Sequence, residues 1–201
     1  MAIVNTVTGP TETSNLGFTL AHEHVLLASA GIQAVFPEFI NRDGTIKKAV
    51  AELSRAYAWG VRTIIDVTTM DLGRDVNLLQ QVSQESGIQI ICATGIWLDI
   101  PRVFWYSTPD SIAQLFIREI RDGIEGTGIK PGVIKVANHV GGVTTEGEII
   151  LRAAARAHKE TGIPISTHTY AAERVGDQQI RVFEDEGVPL DNVYIGHSDD
   201  S

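Results

Sequence analysis

The composition of the chain excludes several broad classes of protein. It has 201 residues, of which 43% are hydrophobic and 20% charged, so it is long enough to bury a large core and is poorly suited to disorder. Its formal net charge of −9 at pH 7 argues against binding to the phosphate backbone of nucleic acids.

Neither membrane insertion nor secretion is indicated. No apolar run reaches the ~20 residues of a transmembrane helix, and residues 1–5 lack the basic and apolar regions of a secretory signal. We therefore expect a cytoplasmic protein that binds neither membranes nor nucleic acid. The single cysteine, Cys92, excludes an internal disulfide and lies in an Ile-Ile-Cys-Ala run typical of a small buried residue on a strand.

Short apolar runs rich in Ile, Val and Thr alternate with helical patterns along the chain. The predicted strands are Leu16–Leu20, Thr63–Val67, Gln89–Ala93, Gly132–Val136, Pro164–Thr167 and Asn192–Ile195. The predicted helices are Lys47–Trp59, Asp75–Ser86, Ser111–Ile124, Thr145–Thr161 and Glu173–Glu186. Asp75 is suited to cap one helix, and a glycine follows three of them as a stop. This βαβα order predicts a parallel sheet in one continuous domain.

Two histidines, His22 and His24, lie just beyond the first apolar run. Residues two apart on an extended strand point the same way, so both imidazoles can face one metal ion, whereas on a helix they would diverge. Three further candidates, Lys135, His168 and His197, lie at the ends of other predicted strands. Their recurrence at four strand ends predicts a metal site.

The positions of these five residues favour a barrel over an open sheet. An open doubly wound sheet normally has a glycine-rich phosphate turn after its first strand, and none follows His24. In a (β/α)8 TIM barrel the carboxyl ends of several strands converge on one point. We therefore predict an α/β fold of this type. Six of the eight strand-helix units are visible and a complete barrel usually needs ~250 residues or more, so residues 1–201 are expected to be an N-terminal fragment of a single barrel domain.

Seven segments, in order, cover nearly the whole chain: Gly17–His24, Gly60–Val67, Asp71–Asp75, Ala93–Trp97, Ile134–Ala137, Thr167–Thr169 and Gly196–Asp200. Together they resemble the phosphotriesterase family of the amidohydrolase superfamily, which includes bacterial phosphotriesterases and phosphotriesterase-like lactonases. The family's members are metal-dependent hydrolases built on a (β/α)8 barrel, so the resemblance supports the same fold.

The resemblance implies two divalent metal ions, of which one would be bound by His22 and His24 and the other by His168 and His197. Lys135 would bridge both ions after carboxylation by carbon dioxide, because an unmodified ammonium has no acceptor atom. Imidazole and oxygen ligands suit zinc best, although manganese, cobalt and iron are compatible. A hydroxide shared by the ions would attack phosphorus or a carbonyl carbon. A further aspartate ligand of the family is expected beyond the given residues.

The resemblance also suggests residues for proton transfer and substrate binding. Asp200 matches a carboxylate of the family's proton relay, although capping of a following helix is an equal alternative. Leu72, Trp97 and Leu98 are expected to contact substrate. Trp97 looks like the tryptophan of phosphotriesterases, whereas lactonases commonly have tyrosine there, and this favours phosphotriesters.

The predicted function is therefore zinc-dependent hydrolysis of organophosphate triesters. Two alternatives stay open: a lactonase that acts on acyl homoserine or other lactones with the same metal centre, and a truncated, non-catalytic metal-binding or interaction module. The expected partner is a small-molecule substrate, and a homodimer is left open.

Four other polar residues receive structural interpretations. His158 is expected on a solvated helix face, and His139 in a loop without a role, although it could approach substrate. Asp66 and Arg74 match family motifs and are expected to organise structure near the second strand.

Overall fold

The computed structural model describes residues 2–200 and contains parallel strands that alternate with helices. The strands are β1 (Ile3–Thr6), β2 (Gly9–Glu12), β3 (Phe18–Glu23), β4 (Val61–Asp66), β5 (Gln89–Ile96), β6 (Val133–Ala137), β7 (Ile165–His168) and β8 (Val193–Gly196). The α-helices are α1 (Ile32–Val35), α2 (Arg42–Ala58), α3 (Val76–Ser86), α4 (Pro109–Asp122), α5 (Thr145–Thr161) and α6 (Val175–Asp185).

The order of the strands confirms the predicted fold class. β1 and β2 form an antiparallel hairpin, and the other six strands follow one another in the order β3-β4-β5-β6-β7-β8. The alternation of parallel strands and helices is that of a partial (β/α)8 TIM barrel. Among the described residues, no helix has the length and apolar composition that a membrane span requires.

The chain clusters into two compact units. Unit 1 consists of residues up to 93 together with 122–132, and unit 2 consists of residues 94–121 and those from 133 onward. The boundary falls within β5, between Ala93 and Thr94. The single-domain interpretation of the sequence stays a prediction.

Unit 1 is built around β4, the first part of β5 and helix α3. The apolar face of α3 contributes Leu78 and Val82, which are fully buried, and Cys92 is part of the same core. The carboxylate of Asp75 accepts a hydrogen bond from the Leu78 amide at 2.8 Å, which satisfies an amide that the first helical turn leaves without a backbone partner. The predicted cap and the buried cysteine are therefore confirmed.

Unit 2 packs helices α4, α5 and α6 against strands β6 and β7. The core includes Phe116 of α4, Leu151 of α5 and Phe183 of α6, together with Ile134 and Val136 of β6. Four alanines of α5 are completely buried, and these are Ala153, Ala154, Ala155 and Ala157. Small side chains let a helix approach its neighbours closely, so α5 is held firmly beside the strands that carry candidate site residues.

Several boundaries and one residue differ from the predictions. The β1-β2 hairpin and the short α1 were not predicted, and α2 begins at Arg42 and not at Lys47, because the Asn41 side chain accepts from the Gly44 amide and caps an earlier start. The expectation of a solvated His158 was wrong. This side chain is buried, and its Nδ1 lies 2.9 Å from the carbonyl oxygen of Ile163, beyond the end of α5.

Candidate metal centre

In unit 1, strand β3 carries the two histidines that begin the predicted site. His22 lies on the strand and His24 follows its last residue, Glu23. The two imidazole rings are half-buried, with centroids 6.0 Å apart and planes at 68°. The spacing of two residues therefore brings the rings near each other, as expected for extended backbone.

Two polar residues at the end of β4 hold this part of β3. Asp66 is fully buried, and its carboxylate accepts hydrogen bonds from the amides of Val25 at 2.7 Å and Thr68 at 3.0 Å. Burial raises the pKa of Asp66, while hydrogen bonds from Val25 and Thr68 act in the opposite direction. The Thr68 hydroxyl oxygen lies 2.9 Å from Nδ1 of His24. Asp66 thus organises this part of unit 1, as expected, whereas the contact of Thr68 with His24 was not predicted.

The second family-matched residue near β4, Arg74, also has a structural position. It is buried within unit 1, and its guanidinium donates to the carbonyl oxygen of Ala93 at 2.9 Å. The same group lies 3.5 Å from the carboxylate of Glu125. Arg74 therefore joins the residues after β4 to those at the middle of β5.

In unit 2, Lys135 lies on β6 and is completely buried. Burial disfavours its charged ammonium form and lowers the pKa of its amine to about 7. A primary amine must be unprotonated to react with carbon dioxide. The burial of Lys135 therefore favours the form that the predicted carboxylation needs.

Beside Lys135, the backbone of β5 comes unusually close. Gly95 has φ +109°, and a Cβ atom built on it would lie 1.9 Å from the carbonyl oxygen of Lys135. No side chain fits at this distance, so only glycine allows β5 to pass this point of β6. The glycine of the Ala93–Trp97 motif therefore has a packing role next to the candidate lysine.

His168 and His197 come together at the ends of β7 and β8. Their ring centroids are 4.5 Å apart. Burial lowers the pKa of His168 to about 4, and the nearby charges of His197, Lys135 and His139 act in the same direction. A neutral imidazole is the form that binds a metal ion, so this environment suits a ligand.

The backbone of His197 adopts the left-handed conformation. Its φ is +60°, in the left-handed region that residues other than glycine seldom adopt. Its Nδ1 lies 2.8 Å from the carboxylate of Asp200. Asp200 therefore contacts a candidate metal ligand directly, and its part in a proton relay stays a prediction.

Two more rings surround His168 in unit 2. Trp97, just beyond β5, meets it edge-on with ring centroids 5.8 Å apart. His139, in the loop after β6, has its Nδ1 2.9 Å from Nε2 of His168, and its ring also contacts Tyr170. His139 thus touches a site residue, which corrects its expected place in a loop without a role.

The remaining substrate candidates lie in different units. Leu72 belongs to a short 3₁₀ turn of unit 1, Met70–Leu72, and its carbonyl oxygen accepts from the Ala28 amide. Leu98 follows Trp97 in unit 2, and its side chain is half-buried. The contacts of Leu72, Trp97 and Leu98 with substrate stay predictions.

The fit of the donor set to a metal ion depends on its lysine. Within residues 2–200, no group of three or more His, Cys, Asp or Glu side chains is arranged to hold a metal ion. The predicted set differs from such a group because its common ligand is a lysine. Unit 2 nevertheless has the groups that a carboxylated-lysine centre needs. These are the buried Lys135, with a pKa of about 7, the neutral His168, with a lowered pKa, and the adjacent His197.

Fold and site together define a class: α/β proteins of the (β/α)8-barrel type with a buried lysine in the middle of one strand and histidines near the carboxyl ends of others. Residues 2–201 match the model of the phosphotriesterase family, and the chain belongs to this family. The resemblance inferred from the motifs is confirmed.

Individual relatives carry several names. The chain is 41% identical over 192 residues to an aryldialkylphosphatase of Saccharolobus solfataricus, with 94% of the chain and 61% of the relative covered. It is 41% identical over 211 residues to a phosphotriesterase homology protein of Mycobacterium tuberculosis, with 100% of the chain and 65% of the relative covered. An N-acetyltaurine hydrolase of Rattus norvegicus is 27% identical, with 98% of the chain and 65% of the relative covered. The chain thus spans less than two thirds of the length of these relatives.

Proposed function

We propose that the protein is a metal-dependent hydrolase of phosphotriesters that uses two divalent ions, with zinc as the first choice. The observation that carries the proposal is the completely buried Lys135, with a pKa lowered to about 7, in the unit where His168 and His197 meet. Membership of the phosphotriesterase family and the similarity to an aryldialkylphosphatase support it.

In this proposal each candidate residue has one task. Lys135, once carboxylated, would supply a ligand shared by the ions. His168 and His197 would hold one ion, and His22 and His24 would hold the other. These two pairs belong to different units, so their convergence on one centre is part of the proposal. When bound, the ions would lower the pKa of water to supply hydroxide at neutral pH and would polarise the phosphoryl oxygen.

The side chains around these ligands prepare the site. Asp200, 2.8 Å from Nδ1 of His197, would hold that ring in one orientation and would accept a proton during turnover. Trp97 provides an apolar face beside His168 against which an aryl or alkyl group of a triester can pack.

The test compares substrates in the full-length protein supplied with zinc. We expect an aryl dialkyl phosphate to be hydrolysed with a higher kcat/KM than an acyl homoserine lactone or N-acetyltaurine. His168→Ala should abolish turnover of all three substrates, whereas Lys130→Ala, which alters an exposed lysine outside the site, should retain it. Higher kcat/KM for the lactone would replace the phosphotriester proposal with a lactonase. Full activity after exhaustive removal of metal would reject both.

A further inference from the structure

Thr68 connects a buried carboxylate to one of the candidate metal ligands in unit 1. Its hydroxyl oxygen lies 2.9 Å from Nδ1 of His24, and its side chain also hydrogen bonds to the carboxylate of Asp66. Thr68 is 3% exposed and Asp66 is fully buried. The three residues form a hydrogen-bonded series that runs from the interior of unit 1 to the ring of His24.

The donors and acceptors available in these groups determine which way each hydrogen bond points. Both carboxyl oxygens of Asp66 accept backbone amides, and the hydrogen bond from the Thr68 side chain lowers the pKa of Asp66. Asp66 is therefore the acceptor, and the single hydroxyl proton of Thr68 goes to it. The hydroxyl oxygen is then an acceptor for His24, which requires the proton of its neutral ring to be on Nδ1. In that tautomer the lone pair that can bind a metal is on Nε2.

We propose that Thr68 is a positioning residue that fixes the tautomer and ring orientation of His24 for metal binding through Nε2. The proposal rests on the proposed function for its purpose, and on contacts within unit 1 for its geometry. Partners that hold the second nitrogen of a metal-binding histidine commonly change metal affinity 10- to 100-fold when they are removed.

Asp66 makes this arrangement rigid. The same carboxylate accepts from the amides of Val25 at 2.7 Å and Thr68 at 3.0 Å. It therefore holds the backbone that follows His24 and the residue whose hydroxyl meets the His24 ring. Because the backbone at both ends of the contact is bonded to one buried carboxyl group, the separation between the His24 ring and the Thr68 hydroxyl is fixed.

The tautomer is measured first, in metal-free full-length protein, by long-range nitrogen-proton NMR of the histidine rings. We expect His24 to carry its proton on Nδ1. Thr68→Val, which replaces the hydroxyl with a methyl group of similar size, should lose this preference, and Thr68→Ser should retain it. A wild-type His24 protonated on Nε2 overturns the proposal without the use of any variant, so the test survives a variant that does not fold.

Metal affinity is measured next, by competition between the protein and a chelator for cobalt or zinc. Thr68→Val should lower the affinity for one of the two ions by about 10- to 100-fold. The affinity of Thr68→Ser should remain within about threefold of the wild-type affinity. Thr63→Val is the matched control, because Thr63 is an equally buried β4 threonine whose hydroxyl donates to the Leu16 carbonyl oxygen at 2.6 Å. It should bind both ions normally.

The outcomes separate this proposal from the proposed function. Equal weakening by Thr68→Val and Thr63→Val would show a general effect of removing buried hydroxyls and would overturn the positioning role. If wild-type protein bound no metal, the proposed function would fail, and the NMR tautomer of His24 would still decide whether Thr68 orients that ring.

Discussion

At the scale of single residues, the complete burial of Lys135 is unusual for a lysine. A lysine is rarely buried completely, because removing an ammonium from water is costly unless it is paired or neutral. Here burial lowers its pKa to about 7, so the neutral amine is populated near physiological pH. Its chemistry can be tested in two ways.

Replacement of Lys135 by alanine tests the proposed bridge between two metal ions. We expect Lys135→Ala in the full-length protein to lose bound metal and to fall at least about 100-fold in activity, comparable to the upper range for loss of a supporting residue. Added acetate or propionate should partly restore both, because the missing group is a carboxylate and not a positive charge. Metal content and turnover are the measurements. Retention of both metals without added acid would contradict the carboxylated bridge.

The same lysine should make the stability of the metal-free, uncarboxylated protein depend on pH. The pKa of Lys135 is about 7 in the fold and 10.5 ordinarily, and between these values the unfolded chain binds more protons at this position than the native chain. The contribution of Lys135 to the free energy of unfolding should therefore rise with pH across this window. Denaturant titrations of wild type and Lys135→Met at several pH values measure the contribution. Lys130→Met is the control, and identical pH profiles for wild type and Lys135→Met would contradict the assignment.

At the scale of elements, the close approach of β5 and β6 depends on one glycine. Gly95→Ala should destabilise the protein by more than the ~1–2 kcal/mol of a positive φ alone, because its Cβ would also collide with the Lys135 carbonyl oxygen. Gly162→Ala is the matched control, since it has φ +76° but nothing within 4 Å of its Cβ. The denaturation midpoint of Gly95→Ala should be lower than that of Gly162→Ala. Equal midpoints would show that the collision with β6 does not lower stability.

Element boundaries were predictable where their cause is local. The Asp75 cap, the glycine after α3 and the whole of α5 were identified because caps and stops depend on a few adjacent residues. The β1-β2 hairpin was missed because short strands without alternating apolar residues give a weak pattern. The actual start of α2 depends on Asn41, a cap that lies before the apolar periodicity begins.

At the scale of the whole molecule, bound metal should stabilise the folded state. A ligand that binds only the native protein adds about 2.7 kcal/mol when its free concentration is 100 times its Kd. We therefore expect the Tm of full-length protein to fall when a chelator removes metal and to recover on addition of zinc. His168→Ala should reduce this response, and Lys130→Ala should leave it unchanged. A wild-type Tm that is insensitive to chelation and to zinc would contradict a native-state metal centre.

Much of the candidate site was predictable, and its environment was not. The sequence by itself determined the alternation of strands and helices, the barrel class and the placement of His22, His168 and His197 at strand ends, because periodicity and spacing are local properties. Only the tertiary structure decided the burial of His158, the contact of His24 with Thr68 and the approach of His139 to His168. It also decided the pKa of Lys135, since desolvation comes from residues far away in the chain.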